Sequence, residues 1–195
     1  MKLRAHVLLL TAVILFTLVS GLMADQVPSH SSPELNRDRF PEALGFQYGL
    51  ISGAGLSYQR WFGPTGFQIA GGILYFPAQT ETTYPFVLDY SIGFQVNRSV
   101  FASDYSDRVS GQLYLVGGVS HGGRIDRGDF GTSASEPFVP SIGLGGGLGI
   151  EIVLFEHFSF PIEVLYAGVW EGIDRPFNEQ IRIDLVPQTG FRYRY

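Results

Sequence analysis

The run IRIDLVPQTGFRYRY, residues 181–195, decides what kind of protein this is. Along it Ile181, Ile183 and Leu185 alternate with Arg182 and Asp184. Further on, Phe191, Tyr193 and Tyr195 alternate with Gly190, Arg192 and Arg194. Successive side chains of a β-strand point to opposite faces, so a period of two residues predicts a strand. One face of this strand is aliphatic and aromatic, and the other is charged.

The same period recurs upstream. In YPFVLDYSIGFQV, residues 84–96, Tyr84, Phe86, Leu88, Tyr90, Ile92, Phe94 and Val96 share a face. Asp89, Ser91, Gly93 and Gln95 share the other with Pro85 and Val87. VSGQLYLVGGVS, from Val109, and FSFPIEVLYAGVW, from Phe158, alternate in the same way. A soluble sandwich alternates too, but here the apolar faces are long rows of Phe, Tyr, Ile and Leu, while the polar faces are rich in Gly, Ser and Gln. The chain of 195 residues has 25 Gly, 16 Phe and 10 Tyr with 16% charged residues. A water-soluble surface usually needs about 25%. The pattern is that of an inside-out barrel with hydrocarbon outside and a polar interior. Closed barrels and helices are the two structures that satisfy every backbone group in lipid, and no stretch after the first 24 residues is apolar enough for a helix. The fold class expected is therefore all-β, an eight-stranded antiparallel up-and-down transmembrane β-barrel.

Strands are predicted at 45–51, 55–62, 66–77, 83–97, 108–121, 137–154, 158–171 and 179–195. The first two depend on a hairpin at SGAG, favoured because single-chain bacterial barrels have an even strand number. Both termini are then periplasmic, with outward loops 52–55, 78–82, 122–136 and 172–178. The inward turns are GPTG, 98–107 and EHFS, and 98–107 is longer than the usual asymmetry predicts. Arg60 falls on the apolar face with Leu56, Tyr58 and Phe62, where a long cationic side chain can snorkel to headgroup level.

At the N-terminus Lys2, Arg4 and His6 precede the apolar run VLLLTAVILFTLVSGLM and small Ala24, the order of a secretory signal peptide. The expected organisation is a signal peptide over 1–24, a polar periplasmic lead-in over 25–43 and the barrel over 44–195. A formal net charge of −5 with no basic stripe excludes nucleic acid as a partner. The absence of Cys excludes disulfides, thiol chemistry and a lipoprotein anchor.

Gln188, Gly190, Tyr193 and Tyr195 match a polar-x-Gly-x-x-aromatic-x-aromatic pattern. This resembles the C-terminal signal by which bacterial outer-membrane β-barrel proteins are recognised by their assembly machinery. GAGLSYQRWFGPTGFQIAGG similarly resembles the opening hairpins of small outer-membrane barrels. The resemblance implies a bacterial outer-membrane location, in contact with membrane lipids and lipopolysaccharide. It also implies the barrel-assembly machinery and periplasmic chaperones as partners. A monomer is expected. Phe191, Tyr193 and Tyr195 would join Phe158 and Phe160 in an aromatic girdle, with Tyr166 and Trp170 at the opposite rim.

Charged residues in inward phase are Asp89, Glu151, Glu163, Arg182, Asp184, Arg192 and Arg194. Charges buried in an interior just wide enough for side chains must pair, so a salt-bridged polar plug is expected. Glycines in IGLGGGLGIE (Gly143, Gly145, Gly147, Gly149) then make room for bulk from across the lumen, such as Tyr114 or an arginine. They lack the spacing of a dinucleotide loop. No cofactor or metal site is predicted: His30, His121 and His157 are scattered. His157 and Ser159 have the His-x-Ser spacing that resembles lipid A deacylases. However, Phe160 stands where that family has Asn, and Glu171 would lie about 40 Å away at roughly 3.3 Å per residue. Ser120 and His121 with Glu136 form a second such candidate. Arg127, Gly128 and Asp129 resemble an integrin-binding tripeptide in the longest outward loop, where a host or surface ligand would bind. The function expected is envelope structure or surface display and adhesion through the outward loops. A lipid-modifying enzyme and a narrow solute pore are the alternatives.

Overall fold

A computed structural model describes residues 35–77, 86–127, 138–171 and 181–195. The predicted signal peptide, the first part of the lead-in, Glu136, Gly128 and Asp129 lie outside these residues. A short helix, α1 (Asn36–Arg39), precedes eight strands: β1 (Glu42–Gly49), β2 (Gly53–Phe62), β3 (Thr65–Pro77), β4 (Phe86–Ser106), β5 (Val109–Arg127), β6 (Val139–Leu154), β7 (Phe158–Glu171) and β8 (Ile181–Arg194). Each strand pairs antiparallel with its sequence neighbour, and β1 pairs with β8 from Ala43↔Arg194 to Tyr48↔Thr189, closing the barrel. Closure leaves no edge over the paired span, which is the means by which such a sheet avoids aggregation.

The alternation read from the sequence is the alternation of exposure. In β7 every second residue from Ser159 to Val169 is buried, while Ile162, Val164 and Tyr166 point outward and are 57%, 44% and 66% exposed. The inward face holds Glu151, Glu163, Arg192 and Gln95, all without solvent contact. A core of charges and amides with a small apolar cluster (Ile51, Trp61, Val116, Leu165, Ala167), inside a wall of exposed aliphatic and aromatic side chains, inverts the arrangement of a water-soluble protein. At the end holding the termini, Phe158 meets Phe191 (6.0 Å between centroids) and Tyr193 (5.7 Å), and Phe160 meets Phe191 (5.2 Å). Phe158, Phe160, Phe191 and Tyr193, four of the five residues assigned to a girdle at that end, thus cluster on the exterior.

Three connections differ from those predicted. Residues 98–106 are not a connection: β4 continues to Ser106, and Asp107 with Arg108 makes the turn. Bulges between Ser99 and Phe101 and between Asp104 and Ser106 each insert a residue. Val100 and Phe101 are consequently both exposed, and the period of two is lost where the strand persists. β5 likewise runs through Gly122 and Gly123 to Arg127. The first hairpin turns at Leu50, Ile51 and Ser52, ahead of the SGAG glycines, and its tip is not an outward loop. Ile51 and Ser52 are fully buried, because the tip folds into the lumen. Gly53 (φ 85°) and Gly55 (φ 138°) supply the backbone conformation for this inward bend.

Arg60 does not stand alone on the apolar exterior. It pairs with Glu42 at 3.2 Å across the β1–β2 ladder and lies 4.9 Å over the Phe62 ring, at the terminus end. Of the segment read as a lead-in, residues 35–43 are described, and they close that end of the barrel. Asn36 donates to the Glu156 carbonyl at 3.1 Å and to Asp104 Oδ2 through its backbone N–H at 3.2 Å. Arg37 lies 6.0 Å over the Trp61 ring. Burial there lowers the Arg37 pKa from its ordinary value, against the raising effect of Asp38.

Candidate functional site

The lumen is the candidate site, and it consists of three stacked layers. Nearest the termini, Glu151 on β6 sits among donors from three strands. It accepts from Gln112 beside it on β5, from the Ser159 hydroxyl on β7, and from Arg194 Nη2 on β8 at 2.6 Å. Arg192 Nη1 is 3.5 Å from its other oxygen. Arg192 in turn donates to Gln47 Oε1 on β1 at 2.7 Å and to Gln68 Oε1 on β3, so the layer spans the barrel. Inward phase on six strands is what brings these groups to one axis.

The middle layer centres on Glu163 of β7. Its carboxylate accepts from Tyr114 Oη at 2.7 Å, Gln188 Nε2 at 3.0 Å and Gln95 Nε2 at 3.1 Å. Tyr114 meets Trp61 edge to face at 6.0 Å. The two carboxylates and the two guanidinium groups of these layers are at most 1% exposed and balance in charge. That balance makes burial tolerable, since an unpaired ion at low dielectric costs several kcal/mol, on the order of its lost hydration.

The third layer is the tucked turn. Gln188 Oε1 accepts from Ile51 N at 2.8 Å and Ser52 N at 2.7 Å, linking the turn to Glu163 below. Ile51 lies over the glycine-rich wall: a Cβ on Gly145 would come 2.9 Å from Ile51 Cγ1, and one on Gly118 3.0 Å from Ile51 Cγ2. Gly149 leaves room for the Tyr114 ring on the adjacent strand. The glycine tract thus accommodates Tyr114, from the adjacent strand and not from across the lumen as expected, and also a side chain from the first turn, which the expectation did not include.

Four predicted interior charges, Glu151, Glu163, Arg192 and Arg194, come together in this way. Asp89, Arg182 and Asp184 do not join them. Arg182 pairs with Asp184 at 2.6 Å and Asp89 lies 4.0 Å from Arg124, all at the other end and solvent-exposed. Inward phase there does not mean burial, because these residues stand beyond the tucked turn. The network members that sequence reasoning did not assign to it are Gln47, Gln68, Gln95, Gln112, Ser159 and Gln188, while Tyr114 was expected in the lumen only as bulk. Their inward phase was a usable signal.

Among the described residues neither hydrolase candidate is assembled. The Ser159 hydroxyl is committed to Glu151, and His157 Nδ1 is 2.8 Å from the Arg194 carbonyl with its ring stacked on Tyr193. Ser120 and His121 are consecutive in a strand and face opposite ways. His121 contacts Tyr90 Oη at 2.9 Å and the Ser141 carbonyl at 3.0 Å on the exterior. Tyr193 and Tyr195 lie at the terminus end of the barrel and face outward, whereas Gln188 lies in the lumen at the level of the tucked turn and Gly190 between them. Arg127 ends β5.

No protein-family model matches the chain, and no curated protein matches it. Solved structures similar to it include Ail, the attachment invasion locus protein of Yersinia pestis, at 15% identity over 80% of this chain and 97% of that one, with a TM-score of 0.39. The same protein in complex with the heparin analogue sucrose octasulfate matches at 17% identity over the same shares, with a TM-score of 0.40. Likeness this distant carries no inference about function.

Proposed function

We propose that this chain is a bacterial outer-membrane barrel with a closed lumen, contributing to envelope structure or surface display through the connections opposite its termini. One observation carries the reading: a wall of exposed apolar side chains surrounds a fully buried, charge-balanced interior. The wall suits acyl chains, and an interior occupied by its own side chains and by the first turn supports a lumen closed to solutes. The connections at the terminus end are short, namely Gly63 with Pro64, Asp107 with Arg108, and 155–157. At the other end the connection 50–52 is short and tucked into the lumen, and the remaining three, 78–85, 128–138 and 172–180, are longer. Long outside and short inside is the usual asymmetry, which favours the second set for contact with lipopolysaccharide or a surface ligand, including the Arg127-Gly128-Asp129 tripeptide. Gln188, Gly190, Tyr193 and Tyr195 serve in this reading as the signal to the assembly machinery. Purified protein refolded into detergent tests it: the unheated form should migrate differently from the boiled form on a gel and show no large steady conductance in a planar bilayer. Open-channel conductance would favour a pore instead.

A further inference from the structure

β1 and β2 are shorter than the strands beside them. β2 leaves β3 after Leu56↔Gly71 while β3 continues to Pro77, and β1 leaves β8 after Tyr48↔Thr189 while β8 extends back to Ile181. The hairpin tip turns inward instead of rising with its neighbours, so the barrel wall is drawn in on this side. The exterior across β1 to β4 is accordingly concave, with a groove of about 890 Å³ walled by Phe46, Leu56, Ile69, Ile73 and Ile92. Gly71 is its floor, an outward position with no side chain in a row of bulky neighbours. A Cβ there would lie 2.9 Å from the Ser91 carbonyl oxygen. Where the groove reaches Tyr90, the phenol and His121 Nε2 stand 2.9 Å apart on the exterior, offering polar contacts.

We propose that this groove holds one acyl chain of a membrane amphiphile, aligned with the strands, with the polar head beside Tyr90 and His121. The inference rests on the exterior being lipid-facing, since the groove is continuous with that apolar surface. Lipid tails are as apolar as leucine, so hydrophobicity alone does not hold one tail over another; packing does. A chain lying in a shallow depression gains more dispersion contacts than one lying against the convex wall of β6 and β7. The occupied site is therefore a resident-lipid position distinct from bulk bilayer.

The test uses the full chain reconstituted into phosphatidylethanolamine and phosphatidylglycerol vesicles containing phosphatidylethanolamine with a diazirine midway along one acyl chain. Heat-modifiable migration of the same sample verifies insertion. After illumination, adducts should concentrate several-fold on Phe46, Leu56, Ile69, Ile73 and Ile92 over the similarly exposed Leu148, Ile150 and Ile162. Leu56→Trp and Ile73→Trp, which fill the groove, should abolish that preference, and Ile150→Trp should leave it intact. Uniform labelling around an inserted barrel would overturn this inference alone. A chain that fails to insert would overturn the lipid-facing reading as well.

Discussion

Replacing Glu151 by Gln removes one negative charge from a place where two guanidinium groups depend on it. Arg194 Nη2 lies 2.6 Å and Arg192 Nη1 3.5 Å from the carboxylate, and all three side chains are at most 1% exposed. The substitution is nearly isosteric, so cavity formation adds little. The dominant cost is two buried cations left facing a single remaining acid, Glu163. Breaking a buried pair costs about 3–5 kcal/mol, and stability should fall by roughly that amount, a factor on the order of a thousand in the folding equilibrium. Urea titration of the refolded barrel, with folded fraction read from unheated gel migration, measures it. Asp184→Asn is the internal control, because its partner Arg182 is 60% exposed and such pairs contribute about 1 kcal/mol or less. Glu151→Gln combined with Arg194→Gln should recover part of the loss, since neighbours in one network do not add. A Glu151→Gln protein within about 1 kcal/mol of the parent would refute the reasoning, showing that the arginines are hydrated inside the barrel.

Other expectations follow from the same geometry. Gly145→Val should displace the tucked turn by crowding Ile51 and speed hydrogen exchange at the Ile51 and Ser52 amides, and Ile51→Ala should reverse the effect if the contact is the cause. Gln188→Ala removes the acceptor of both amides and the tie to Glu163, and should lower stability by about 2–4 kcal/mol, as for two orphaned buried donors. Phe155 and Glu156 adopt positive φ in the β6–β7 turn (53° and 69°), so Glu156→Gly should raise stability by roughly 1 kcal/mol, less the small loss of the exposed Arg39 pair. Tyr195→Ala should slow assembly in cells and leave urea stability nearly unchanged, because the side chain is half exposed on the exterior. Equal loss in both assays would make it a packing residue.

The barrel was legible because a strand that is greasy on one side and polar on the other repeats its phase over most of the chain. Legibility failed where the phase is broken. Bulges at Val100 and Tyr105 hid residues 98–106 of β4. Gly122 and Gly123 were read as loop although both neighbouring strands pair with them. The first turn was hardest, since Ile51 and Ser52 have the composition of any hairpin tip, and only the ladder ending at Gly49↔Gly53 beneath longer neighbours reveals its inward course. Within the site, inward phase located the acids and arginines of the paired zone. It could not separate them from Asp89, Arg182 and Asp184, because phase specifies a face and not a depth.

Because the chain has no cysteine, single cysteines placed along β7 report the environment of each face without background. The decisive measurement is the rate at which a water-soluble maleimide modifies Ile162→Cys, Val164→Cys, Leu165→Cys and Ala167→Cys in vesicle-reconstituted protein. Protection at all four is the predicted result, outward positions by acyl chains and inward ones by the packed lumen. Rapid modification at Leu165 and Ala167 would contradict a closed interior, and rapid modification at Ile162 and Val164 would contradict a lipid-facing wall.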